Sequence, residues 1–411
     1  MTDEAEAYIY ADNAATTPLS LVALQAMMPY LTTEFGNPGG IHRIARTAAE
    51  ALDGARDRMS QHLGATSHEI YLTSGGSESD NWILWGAVRR YRDRYGANAP
   101  VCVITSSIEH HAILHTCRAL ERAGVTSVFL PVDDLGHVHV DDLSRALDDA
   151  RQRSLDAGVD ASGCALVSVM LANNEVGTIE DIPALARCAH DHNVPMHTDA
   201  VQAVGHIPVD VRALGVDALS LSAHKFHGPR GIGALYLREA FSIPPLIDGG
   251  AQERGERAGT ENVAGAVGME AALAEALDGL DVRRARVAQL RDRLVRHTLD
   301  TCPDVRYTGD PNSDRRLPSI ASFVCHDVDG ELLVVLLDRA GVAAATGSAC
   351  STGSTDPSHV VQALGFEDSA WSHGSLRLSL ADDVTDADIE LLCDRVPRCI
   401  MRARLLSGMR S

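Results

Sequence analysis

The sequence predicts an α/β fold: a mostly parallel sheet covered by helices on both faces, joined to a smaller α+β domain. Two observations carry this prediction. From residue 101 onward apolar strand, polar loop and amphipathic helix alternate, the order that builds parallel βαβ units. The strands are near-continuous apolar runs, as strands buried on both faces must be. A third observation concerns position. Small and ionisable residues gather where these strands end, and open α/β sheets bind ligands just beyond the carboxyl ends of their strands.

Taken in order, Tyr8 to Asp12 reads as a short entry strand, and Asp12-Asn13-Ala14-Ala15-Thr16-Thr17-Pro18 as a loop of small polar residues. Residues 19–31 have helical periodicity, and Phe35 to His42, with its Gly and Pro, is a second loop. Helices are expected over 43–63 and 78–95. Between them the strand Glu69–Thr73 runs into Ser74-Gly75-Gly76-Ser77. Small residues opening a helix present backbone N–H groups and a positive helix end to an anion.

Strands are then expected over 101–105, 127–131, 165–171, 195–198, 218–222 and 231–237. The helices between them fall near 110–123, 139–153 and 182–192, and Ser154 to Gly163 reads as a hydrophilic insertion. Gly249 to Thr260 is a glycine-rich loop. A long helical tract from about 263 to 300 reads as the inter-domain boundary. This assigns residues 13–262 to the large domain, and residues 1–12 with 263–411 to the small one. Strands at 320–324, 342–345 and 376–380 and helices at 328–340 and 386–406 complete the α+β part.

The chain has 411 residues, 45% of them hydrophobic, and a net charge of −20. That charge argues against stable binding to a nucleic-acid backbone or an anionic membrane, since both need a basic face, and leaves room only for a local basic patch. No apolar run is long enough to span a bilayer. The acidic start Met1-Thr2-Asp3-Glu4 lacks the apolar core of a signal peptide. Nine cysteines form an odd set with no CxxC and no metal-like spacing, which points to a reducing compartment, buried thiols and no metal site. The expectation is a cytoplasmic protein.

The chemistry is most legible at Lys225. It is the one lysine among 36 basic residues, and it follows the apolar run Ala218–Ser222 in Ser222-Ala223-His224-Lys225. Arginine cannot replace a residue that must lose a proton, and a neutral amine is the nucleophile that forms a Schiff base with an aldehyde. Asp199 ends the preceding strand. A carboxylate and a lone lysine, both at strand ends, suit pyridoxal phosphate. Asp199 would pair with the pyridine nitrogen and keep the ring an electron sink. Gly76, Ser77 and the hydroxyls near Lys225 could hold the phosphate, and His110 could stack on the ring or move protons. His111, without further support, reads as a satisfied structural residue. Cys350 stands apart from the other cysteines. Its loop, Ala345 to Ser354, is almost entirely Gly, Ala, Ser and Thr, so a solvent-reachable nucleophile is expected there. An enzyme that only transfers amino groups has no need of such a thiol, whereas one that breaks a C–S bond and keeps the sulfur does.

These residues lie in DNAATTP, FGNPGGIHR, TSGGSESDN, SIEHHAIL, NNEVGTIED, HTDAVQAVG, SAHKFHGPRGIGALYLR, GGAQERGERAGTEN, GSACSTG, PSHVVQALG and SLRLSL. In that order and spacing, from about residue 8 to about 400, the chain resembles a cysteine desulfurase of the class V aminotransferase group. That resemblance implies fold type I, with a seven-stranded sheet in the large domain, pyridoxal 5'-phosphate as cofactor and L-cysteine as substrate. It further implies a homodimer and a protein acceptor for the sulfur. Lys225 would hold the cofactor and shuttle protons, Asp199 would face the pyridine nitrogen, and His110 would stack on the ring. Gln202 and Asn174 would lie near the ring hydroxyl. Gly76, Ser77, Ser222 and His224 would contact the phosphate, with Thr260 from the other subunit. Asn37, Arg377 and His42 would serve the substrate, Arg377 as a planar guanidinium for its carboxylate. Cys350 would accept the sulfur as a persulfide while L-alanine leaves. The chain stops soon after Leu406, without the longer tail such enzymes use toward a scaffold. The acceptor therefore stays open among iron–sulfur, tRNA or DNA thiolation and natural-product pathways. Selenocysteine lyase, or another pyridoxal-dependent C–S lyase, is the alternative activity. A retired enzyme acting as a scaffold is a third reading, which intact Lys225, Asp199, Cys350 and Arg377 oppose.

Overall fold

The computed structural model describes residues 8–347 and 357–408, with Ser369 as backbone only. At its centre is a seven-stranded sheet. In spatial order the strands are Ile70–Thr73, Gly233–Leu237, Ala218–Ser222, Met196–Asp199, Cys164–Ser168, Cys102–Ser106 and Thr126–Leu130. Gly233–Leu237 is antiparallel to both neighbours, and every other adjacent pair is parallel. Successive side chains point to opposite faces, so each strand feeds two cores. Ile104 and Val167 join one, and Val103 and Leu166 the other. Cys164–Ser168, Met196–Asp199 and Ala218–Ser222 are buried along their whole length, which is why no polar alternation marked them in the sequence.

The covering helices begin where side chains satisfy their free N–H groups. Asp181 accepts from Ala184 N at 3.1 Å ahead of Ile182–Asp191, and Thr385 and Asp388 cap each other's backbone ahead of Asp386–Ser407. The second domain is built on the antiparallel sheet Ser375–Ser379, Ile320–Cys325, Val305–Tyr307. Phe323, Leu333, Leu378, Ile389 and Leu392 form its own core. The entry strand Ile9–Tyr10 pairs in parallel with Val342–Ala343, and Asp12 bridges Ser379. The entry segment thus pairs with Val342–Ala343 and Ser379 before the chain crosses to the large sheet.

Several features depart from the sequence reading. The tract at 263–300 is two helices, Val263–Leu277 and Leu280–Thr301, broken at Gly279, whose φ is +63°. The first packs Ala266, Met269 and Leu273 into the core of the large sheet, and the second packs Val287 and Leu294 into the small one. Ser154 to Gly163 is not a simple polar insertion. The helix Val140–Asp156 runs into it, Ser154 is fully buried with its hydroxyl donated to Val159 O at 2.9 Å, and Ala161 joins a core cluster. The glycine-rich loop at 249–260 is pinned by a buried acid. Glu253 accepts from Arg56 through both carboxylate oxygens at 2.7 Å and from Leu72 N at 2.9 Å. The strand Val305–Tyr307 and the helix His359–Ala363 were not expected from the sequence.

One backbone approach beside the site has a measurable consequence. Gly205 has φ +85°, and a Cβ there would stand 2.6 Å from Phe226 Cβ, next to Lys225. Gly205→Ala is expected to lower stability by about 1–3 kcal/mol, read as a lower urea midpoint. An unchanged midpoint would show that the turn relaxes freely.

Candidate active site

A cavity of about 320 Å³ lies at the carboxyl ends of the central strands. Strand pairing aligns Asp199 with Ser220, and Lys225 follows three residues after Ser222 in a single 3-10 turn, Ala223–Lys225. Neighbouring strands lie only about 5 Å apart, so this register brings Asp199 and Lys225 into one cavity. Lys225 Nζ donates to Ala14 O at 2.5 Å and Ala15 O at 2.9 Å. Gln202 Nε2 donates to the same Ala14 O at 2.9 Å. Those carbonyls belong to the entry loop, which the small domain holds in place. Asn13 Nδ2 donates to Ser379 O, and Ala14 N to Ser379 Oγ, both at 2.9 Å.

Burial sets the charges. Asp199 is pushed up to about 6 by burial, opposed by its bond from Val201 N and by the Lys225 charge. Asp80, one helical turn after Gly76, lines the same cavity and is fully buried. Burial, then the charge on Asp199, raise its carboxyl well above the usual range. Of these two acids Asp199 holds the negative charge, because only it faces Lys225. His110 is pushed down to about 4 by burial and then by Lys225, and His224 likewise to about 4. Both are neutral near pH 7. His110 Nδ1 accepts from Ala112 N at 3.1 Å, which fixes the tautomer with its proton on Nε2.

One end of the cavity is an anion cradle. The helix Gly76–Tyr95 begins with no side-chain cap after Gly75, whose φ is +151°. A Cβ on Gly76 would come within 2.6 Å of Val201 Cγ2, so backbone lines this wall. Ser77, Ser222 and His224 line it too, and His224 Nδ1 lies 3.2 Å from Thr16 Oγ1. At the other end is Arg377, 3% exposed. Its Nη1 donates to Asn174 O at 2.9 Å and its Nη2 to Asp12 Oδ1 at 2.8 Å, while its buried Nε has no hydrogen-bond partner. Asp80 Oδ1 is likewise buried without a partner. A cavity with a half-buried amine, an acid, an uncapped helix start and an unfilled guanidinium N–H has the donor set for a phosphorylated pyridine and a carboxylate.

Of the residues singled out in the sequence, Lys225, Asp199, Gln202, Asn174, His110 and Arg377 meet here, with Gly76, Ser77, Ser222 and His224. Asn37, His42 and Thr260 do not line it. All three are exposed, Asn37 Oδ1 accepting from Gly39 N and His42 Nδ1 from Ala45 N. Cys350 lies outside the described residues. His111 packs its ring against His115 and His359 and leaves Nδ1 buried without a partner, so it is not a fully satisfied structural histidine. The remaining described cysteines are buried, except Cys393, which is half-buried. Ala14, Ala15 and Asp80 were missed as site residues. The spacing Gly76-to-Asp80, one helical turn, was the available signal for Asp80.

The family model "Aminotransferase class-V" matches residues 9–392. The "Cysteine desulfurase IscS" of Methanosarcina thermophila is 43% identical over 401 residues, covering 98% of this chain and 94% of that one. The "Cysteine desulfurase NifS" of Azotobacter vinelandii is 39% identical over 400 residues, covering 97% and 94%. Among solved structures, a "NIFS-LIKE PROTEIN" superposes with a TM-score of 0.85 at 32% identity, covering 96% of this chain and all of the other. "SspA in complex with cysteine" superposes with a TM-score of 0.74 at 31% identity, covering 90% and 98%.

Buried neutral His110 gives a direct test. Its C2 proton resonance should titrate with a midpoint near 4, against the ordinary 6.5. A folded value below the unfolded one means protonation favours the unfolded chain. His110 therefore costs stability as pH falls from about 6.5 through 4. A midpoint at 6 or above would contradict the burial argument.

Proposed function

The chain belongs to the class-V aminotransferase family and is a cysteine desulfurase, and from that premise we propose how its own residues carry the reaction. The observation that carries the proposal is the cavity in which the only lysine and an ionised aspartate meet an arginine with an unfilled N–H.

Pyridoxal 5'-phosphate fits this cavity. Lys225 would hold it covalently, Asp199 would face its ring nitrogen, and the uncapped helix start with Ser77, Ser222 and His224 would take its phosphate. Bound there, the coenzyme supplies an electron sink that makes the Cα–H bond of an amino acid acidic. Asp199 serves that sink only while ionised, and Lys225 nearby favours its charge. Asn174 and Gln202 orient the ring edge. His110, neutral with its proton on Nε2, would lie against the ring and could donate where charge develops. Arg377 would receive the substrate carboxylate through its unpartnered Nε–H, with Nη1 and Nη2 each anchored by a bond to Asn174 O and Asp12 Oδ1. That fixed fork orients the substrate Cα toward the Lys225 amine, which removes and returns the proton.

The Cys350 thiolate attacks the sulfur of L-cysteine. The Cβ–S bond breaks as the Cys350 S–S bond forms, and the carbon fragment takes up protons and leaves as L-alanine. Cys350 then carries a persulfide for a protein acceptor. The homodimer reading draws support from a set of apolar side chains left uncovered among the described residues. Leu21 is 74%, Leu31 57%, Phe35 69% and Ile41 92% exposed. Asn37 lies on this face, and Thr260, with no role in its own cavity, is free to serve the partner's site. Among the described residues no helix is long and apolar enough to cross a membrane.

Two substitutions separate the roles. Lys225→Ala is expected to abolish alanine formation and the visible absorbance gained with pyridoxal phosphate. Cys350→Ala is expected to keep that absorbance and lose sulfur transfer by at least about 100-fold, as removal of a covalent nucleophile does. Wild-type alanine formation in Lys225→Ala would overturn the assignment. Full turnover in Cys350→Ala would favour a lyase that needs no thiol.

A further inference from the structure

Glu175 takes no part in the chemistry above. It follows Asn174, is 5% exposed, and burial pushes its carboxyl up to about 7, opposed by Ser358 and Arg377. An acid buried this deeply is costly unless its oxygens find partners. Ser358 donates its hydroxyl to Glu175 Oε2. Gly347 packs against that same oxygen. A Cβ at residue 347 would collide with Glu175 Oε2 and stand 3.1 Å from Ser358 Cβ. Gly347 and Ser358 are near neighbours in space, yet in sequence they flank the segment that carries Cys350.

Each flank is tied to one wall of the active site. On the first, Gly347 N donates to Ser375 Oγ at 3.2 Å, and Ala345 exchanges backbone bonds of 3.1 and 2.7 Å with Arg377. On the second, Ser358 Oγ accepts from Val360 N at 3.1 Å and Val361 N at 3.3 Å, capping the helix His359–Ala363. That helix packs Val360 against Ile108 and Val176. His359 Nε2 lies 3.0 Å from Glu109 O, one residue before His110.

We propose that Glu175 is a positioning residue for sulfur transfer: through Ser358 and Gly347 it clasps the two flanks of the Cys350 segment against the wall that carries Asn174 and Arg377. The inference rests on Cys350 being the sulfur acceptor. Tethering a group closer to its target raises its effective concentration there, and a thiol must meet the substrate sulfur within a narrow range of geometry. The clasp supplies that constraint without touching substrate.

The test is single-turnover sulfur transfer from L-cysteine to Cys350 in the pyridoxal-loaded enzyme, read by mass. KM and the visible absorbance are followed in parallel. Glu175→Ala and Ser358→Ala are expected to slow transfer by about 10- to 100-fold, with absorbance retained and KM within about twofold of the parent value. Glu175→Gln keeps an acceptor for Ser358 and should restore most of the rate. The double Ala variant should be no slower than Ser358→Ala alone, because Ser358→Ala already removes the Glu175 contact along with its helix cap. Unchanged transfer in both Ala variants overturns the inference, as does a loss matched by equal loss of absorbance. If Glu175→Ala fails to fold, Ser358→Ala decides alone. Alanine formation at the wild-type rate by Cys350→Ala would remove the acceptor assignment itself, whereas a failure confined to Glu175 and Ser358 removes only the clasp.

Discussion

The grip of two backbone carbonyls on one amine holds the site together. Lys225 reaches Ala14 O and Ala15 O, and the loop that carries these carbonyls is fastened on one side through Ser379 and on the other through Gln202 and His224. The amine comes from the large sheet and its acceptors from a segment anchored in the other domain. Arg377 sits two residues before Ser379 on the same strand, so the group expected to hold the substrate and the group expected to hold the cofactor share one support. A charge-assisted hydrogen bond is worth roughly twice a neutral one, which makes this contact a strong local link between the domains.

The second constraint is dielectric. Asp199, Asp80, His197 and the Glu109 carboxyl lie buried around the ends of the same strands, with His110 half-buried beside them. Burial alone drives His197 down to about 3 and, with smaller contributions from nearby charges, Glu109 up to about 8. His197 sits between Ser168 Oγ at 2.9 Å and Ser220 Oγ at 3.0 Å, so its hydrogen bonds are met in the neutral state. With the histidines neutral and Asp80 and Glu109 protonated, Asp199 is the carboxylate left to answer Lys225. A buried charge is tolerated only when paired, and here the pairing also serves the chemistry.

How much of this was legible depended on the kind of signal. Lys225 stood out because the chain uses arginine everywhere else, and Asp199 because it ends an apolar strand. Gly76 and Ser77 followed from small residues between strand and helix. Ala14 and Ala15 did not stand out, since they act through main-chain carbonyls and a backbone role leaves no trace in side-chain identity. Asp80 and Glu175 were hidden for a different reason. An acid in a polar run looks solvated, and only packing shows that Asp80 faces the cavity and that Glu175 meets Ser358, distant in sequence. The break at Gly279 was missed because two helices of similar periodicity read as one.

The sequence by itself determined which chemistry the chain can do and the alternation that builds the sheet, because unique residue types and apolar runs are local properties. Tertiary structure alone decided which protonation states those residues hold, which carbonyls receive the amine, and that the two flanks of the Cys350 segment converge on one buried acid. Those outcomes depend on distance and exclusion of water between segments far apart in the chain, and neither quantity exists until the chain has folded.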